Sequence, residues 1–160
     1  MTVSANIESY EDPVKVTDAI KKIFPEWEID PSIDFPDEIL DSSGFIVHGT
    51  TESMEKMLAI IREVRILDTA LDVMSMNLRD DTTEFFISKQ SASVGKVSFS
   101  LVEDQFGGLI SVVLRARDLG LWLEQQTWHR GRELVPRSIG DDLAMDDFGE
   151  AVEWFDPKGK

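Results

Sequence analysis

Residues 84–116 read EFFISKQSASVGKVSFSLVEDQFGGLISVVLRA, and this stretch decides the fold. Glu84–Ser88, Val94–Leu101 and Leu109–Ala116 are short, rich in aromatic and β-branched residues, and bounded by small or polar ones, which is the pattern of β-strands. Glu103–Gly108 supplies the turn between the last two. Its Gly107-Gly108 pair, standing between two strand patterns, reads as a hairpin turn and not as a phosphate loop. Consecutive strands this close in sequence pair antiparallel, because a parallel neighbour requires a crossover of about a dozen residues or more.

Outward from this stretch the remaining elements are helices and isolated strands. Upstream, residues 2–9 alternate, with Val3, Ala5 and Ile7 on one face. Asp12 then offers an N-cap and Pro13 suits a first helical position. Val16, Ala19, Ile20, Ile23 and Phe24 follow as one apolar stripe that Pro25 terminates. Trp27 and Ile29 suggest a short strand, residues 30–43 a loop, and Phe45–His48 another strand. Thr51 is placed to cap a helical region carrying Met54, Met57, Leu58, Ile61 and Val64. Ile66, Leu67, Ala70, Val73 and Met74 form a second stripe whose phase predicts a break near Arg65. Asp80 and Asp81 mark a turn. After Asp118 a last helix carries Leu119, Trp122 and Leu123. Strands and helices do not alternate, so the expected fold is α+β: an antiparallel sheet with helices on one face. Residues 1–130 read as one domain, and 131–160 as an acidic appendage with glycines, prolines and the run DDLAMDD.

Composition narrows the function classes. The 160 residues carry a net charge of −15 and no cysteine. Disulfides, thiolate nucleophiles and cysteine-ligated zinc are therefore excluded, and a cytoplasmic setting is expected. No apolar run reaches the roughly 18 residues of a membrane helix, so no membrane partner is expected. The charge is uneven: −8 over residues 1–50, −2 over 51–137 and −5 over 138–160. Long-range repulsion from phosphate follows, although the balanced middle leaves room for a local basic face.

Catalytic signatures are missing. The sequence holds no phosphate loop, no dinucleotide fingerprint and no nucleophile elbow. His48 and His129 have no serine or carboxylate partner in sequence. Asp142 and Asp146 share a helical face at i, i+4, but no lysine or arginine nearby completes a phosphate–metal site, and a solvated face is the better reading. An enzyme is not expected, and neither is a cofactor or resident metal. Lys89, Gln90 and Lys96 flank a small-residue turn and form a reasonable phosphate-positioning set, with Arg62, Arg65 and Arg115 as weaker candidates.

The same stretch resembles an archaeal family, uncharacterised protein family 0201, labelled RNA-binding. Lys89, Gln90, Ala92, Val94, Gly95, Val97 and Phe99 match its pattern, followed by Gly107 or Gly108 and Ile110. EDPVKVTDAIKKIFP, IREVRILDTAL and LWLEQQTW agree with it in order, so the resemblance spans about residues 1–128. Ser91, Gln105-Phe106 and Leu71 depart from it, Leu71 standing where an arginine is expected. The resemblance implies a fold like that of the L-five protein of the large ribosomal subunit, a homodimer, and recognition of structured RNA or a ribonucleoprotein. The competing expectation is a protein-interaction or scaffolding protein whose acidic ends meet a basic partner. One coherent basic face would favour the first, and its absence the second.

Overall fold

A computed structural model describes residues 1–33, 44–101 and 107–139. Six strands form one sheet: β1 (Thr2–Ile7), β2 (Glu28–Ile29), β3 (Phe45–Thr50), β4 (Thr82–Ser88), β5 (Phe99–Ser100) and β6 (Leu109–Arg115). Their order is β2-β3-β1-β6-β4-β5, and every pairing is antiparallel. The helices are α1 (Pro13–Ile23), α2 (Glu55–Glu63), α3 (Leu67–Met76), α4 (Lys89–Ser93), α5 (Leu119–Gln126) and α6 (Gly131–Leu134), packed on one face of that sheet. The α+β architecture expected from the sequence is the one observed.

Strand alternation sets which face the helices cover. Val3, Ala5 and Ile7 of β1, Val47 of β3, Phe85 and Ile87 of β4, and Ile110, Val112 and Leu114 of β6 all point into the core. Against them α1 lays Val16, Ala19, Ile20 and Ile23, with Phe24 beyond its end; all five are buried. The helix begins where expected: the Asp12 carboxylate accepts the Val14 amide at 2.9 Å, satisfying a donor that has no partner within the helix.

The break near Arg65 also appears. Arg65 adopts φ 61°, which separates α2 from α3 and rotates the apolar stripe so that both helices bury theirs. Asp80 and Asp81 both have positive φ between the mutually bonded Arg79 and Thr82, the geometry of a tight two-residue turn. Leu71 is fully buried on α3, so an arginine at this position would place a charge in the core.

Four local expectations are corrected. Thr51 does not cap α2, which starts four residues later; its hydroxyl is engaged with Ser53, and it is the Ser53 hydroxyl that accepts the Glu55 amide. Residues 94–98 are not a strand: residues 89–93 form α4 and only Phe99–Ser100 pair, on β4. Nor are β5 and β6 joined as a hairpin, since β4 lies between them and pairs with both. Finally, residues 131–139 are tied to the body. Buried Arg132 donates to Asp68 and Thr127, Arg137 pairs with Asp72, and Ile139 packs against the core. DDLAMDD lies outside the described residues.

Candidate functional site

The Lys89 environment begins with Ser88, whose hydroxyl accepts the Ser91 amide and caps α4. Capping turns the chain sharply at the end of β4 and directs Lys89 inward. Lys89 is 5% exposed, and its ammonium donates to both Glu11 carboxylate oxygens (2.8 and 3.1 Å) and to the Asn6 carbonyl (2.6 Å). Three donors meet three acceptors, so the charge is satisfied internally. Gly108 makes room for it: a Cβ there would lie 2.9 Å from Nζ. The expected phosphate role of Lys89 therefore has no exposed ammonium to carry it. The residue instead clamps the ends of β1, β4 and β6 to the start of α1.

The other expected phosphate contacts do not converge. Gln90 and Lys96 are exposed at either end of α4, and Gln90 lines a shallow groove with Tyr10, Lys15 and Ser93. Arg62 and Arg65 line a different cavity, with His129. Arg115 is exposed at the end of β6, donating to the Thr82 hydroxyl. Sequence reasoning missed Lys15 and Lys22 beside α4. Both are exposed on α1, and Lys22 donates to the Ser93 carbonyl. Their i, i+7 spacing was the available signal, passed over because an exposed helix face ordinarily carries such charges.

The second face of the sheet is covered by no helix among the described residues. Register places His48, Ser4, Ser111 and Phe86 in one row across β3, β1, β6 and β4. Thr50, Thr2, Val113 and Glu84 form the next row. Ile46 stands on the same face at 64% exposure. The charges here are few: Glu28 is exposed opposite Thr50, Glu84 accepts the Ser111 hydroxyl at 2.7 Å, Arg115 donates to the Thr82 hydroxyl, and His48 meets Asp30 at 3.1 Å. On a chain of net charge −15, this face is a nearly neutral field of hydroxyls and aliphatic groups.

Each histidine contacts an aspartate. The Asp30 carboxyl is held below its ordinary 3.8 first by hydrogen bonds from the Ser32 hydroxyl and amide, with His48 adding to the effect. Burial pushes the Asp68 carboxyl up, but hydrogen bonds from His129 and Arg132 outweigh it and leave the group below 3.8. A carboxyl depressed in the folded state contributes stability that is present above its unfolded value and lost as pH falls through the folded one. Thermal melts as a function of pH should therefore show wild type losing stability below about pH 4, with the Asp68→Asn variant losing less over the same interval. An identical acid limb in the two proteins would remove Asp68 from the account.

No family model matches the chain. Individual relatives do. A UPF0201 protein of Methanothermobacter thermautotrophicus is 30% identical over 143 residues, covering 87% of this chain and 96% of that protein. A UPF0201 protein of Methanocaldococcus jannaschii is 32% identical over 112 residues, 70% of this chain; the chain spans 61% of that relative's length. The crystal structure of a UPF0201 protein from Methanococcus jannaschii shares the fold with a TM-score of 0.56 at 30% identity, covering 69% of this chain and 90% of that one.

Proposed function

The chain belongs to the UPF0201 family, and from that premise we propose that it is a non-catalytic protein-interaction module that docks through the open face of its sheet, first of all with a second copy of itself. The near-neutral open face carries this reading. Two acidic chains repel at long range, but at physiological salt the repulsion is screened within about 8 Å, and a face on which Glu28, Glu84 and Arg115 sum to a single negative charge adds little to it on contact. A nucleic acid would need cations on the docking surface, and among the described residues this face offers Arg115 alone. A cytoplasmic setting belongs to the same proposal, supported by the absence of cysteine.

The RNA reading, with its L-five-like fold, retains one favourable observation: exposed Lys15 and Lys22 of α1 lie beside Gln90 and Ser93 of α4. Salt separates the two. A dimer of like-charged chains tightens as salt rises, whereas phosphate contacts weaken by about 0.7–0.9 of a log unit per log unit of salt for each contact.

Light scattering at micromolar concentration should give a mass near twice 18.1 kDa, rising further toward the dimer in high salt. Ile46→Glu should return it to that of one chain. A monomer at both salt concentrations would overturn the dimer. Binding of structured RNA that weakens with salt and is lost in Lys96→Ala would move the conclusion to RNA.

A further inference from the structure

Away from the open face, the junction of α2 and α3 meets the segment after α5 around a cavity of about 410 Å³, lined by Arg62, Arg65, Leu67, Asp68 and His129. Its size lies within the range of small-ligand sites, roughly 300–1,000 Å³. What distinguishes it is charge. Asp68 contributes the single carboxylate, already shared between His129 Nε2 and the buried Arg132 Nε, both at 3.0 Å. Arg62, Arg65 and Arg132 against Asp68 leave a formal charge of +2 with His129 neutral, on a protein whose total is −15.

The guanidiniums retain capacity to bind. Arg62 uses only Nη2, on the Gln126 backbone and side-chain oxygens at 3.1 and 3.4 Å. The Arg65 guanidinium makes no hydrogen bond or ion pair among the described residues, and the backbone of Arg65 sits at φ 61°, in the left-handed region that residues other than glycine and asparagine seldom adopt. Arginine presents a planar fork of donors that matches the geometry of a tetrahedral oxyanion, which a lysine does not.

We propose that this cavity binds a small phosphomonoester, with Arg62 and Arg65 donating to the phosphate oxygens and Leu67 forming the apolar wall against the remainder of the ligand. A phosphomonoester dianion matches the +2 environment; a phosphodiester, carrying one charge, matches it poorly.

Calorimetric titration of the full chain with methyl phosphate should show saturable binding. Methyl sulfate, of the same shape but singly charged, and a short single-stranded RNA should each bind at least tenfold more weakly. Arg62→Gln and Arg65→Gln should each reduce methyl phosphate affinity about tenfold or more, while Arg117→Gln, a fully solvated site elsewhere, leaves it unchanged. Arg65→Gly is the second variant. It relieves the backbone conformation and so remains folded, yet it should lose binding equally. No saturable binding at millimolar methyl phosphate would overturn the proposal. So would binding that survives the Arg65 substitutions, or equal affinity for methyl sulfate or the RNA.

Discussion

Lys89→Ala is expected to destabilise the protein by about 3 kcal/mol, read as a lower urea midpoint in equilibrium unfolding. Truncation removes the ammonium and leaves the Glu11 carboxylate, itself largely buried, without its partner, and the Asn6 carbonyl without its donor. Removing one member of a buried pair costs about 3–5 kcal/mol, and the partial exposure of Glu11 places this case at the lower end. Glu11→Gln should cost less, about 1 kcal/mol, because its amide oxygen still accepts from the ammonium. The sequence alone suggests a phosphate-positioning role for Lys89, which requires a solvent-facing ammonium whose loss spares the fold. An unfolding midpoint for Lys89→Ala equal to that of wild type would restore that reading and dissolve the clamp.

Gly49→Ala should have an effect of similar size, about 3 kcal/mol, at the upper end of overpacking costs. A Cβ on Gly49 would lie 2.2 Å from the Glu28 carbonyl oxygen and 2.7 Å from the Trp27 ring. Neither neighbour has room to move. Glu28 is held in the β2–β3 pairing, and Trp27 is buried with its indole donating to the Val3 carbonyl at 3.2 Å. Gly95→Ala is the control. That glycine has φ 73° but open space around its Cβ position, so only the backbone penalty applies, about 1–2 kcal/mol. Equal melting of Gly49→Ala and wild type would show that β2 can shift away from β3 at no cost.

Much of the local structure was legible because it is written in periodicity. The Val16–Phe24 stripe, the break at Arg65 and the alternation of Val3, Ala5 and Ile7 each appear where their spacing placed them. The misreadings have a common cause. Periodicity does not say which strands are neighbours, so β5 was placed beside β6 although β4 separates them. A five-residue helix is too short to show a 3.6-residue period, and α4 was read as a turn and the start of a strand. Its one signal was Ser88, a residue with a capping side chain immediately before KQSAS. Missing the cap meant missing the inward direction of Lys89, and with it the first of the expected phosphate contacts. Arg132 shows the same limit. In sequence it opens a polar segment, whereas in the fold it is buried against Asp68 and Thr127, sixty-four and five residues away.

The most direct test of the open face is hydroxyl-radical footprinting of the wild-type chain at a concentration where the dimer dominates and again after dilution. Ile46, Phe86 and Val113 stand on that face, while Leu121 and Trp128 are apolar side chains of α5 and the turn after it, away from the sheet. The proposed docking predicts that Ile46, Phe86 and Val113 are protected in the concentrated sample and become reactive on dilution, with Leu121 and Trp128 equally reactive in both. Protection at Leu121 and Trp128 with Ile46, Phe86 and Val113 reactive throughout would contradict it.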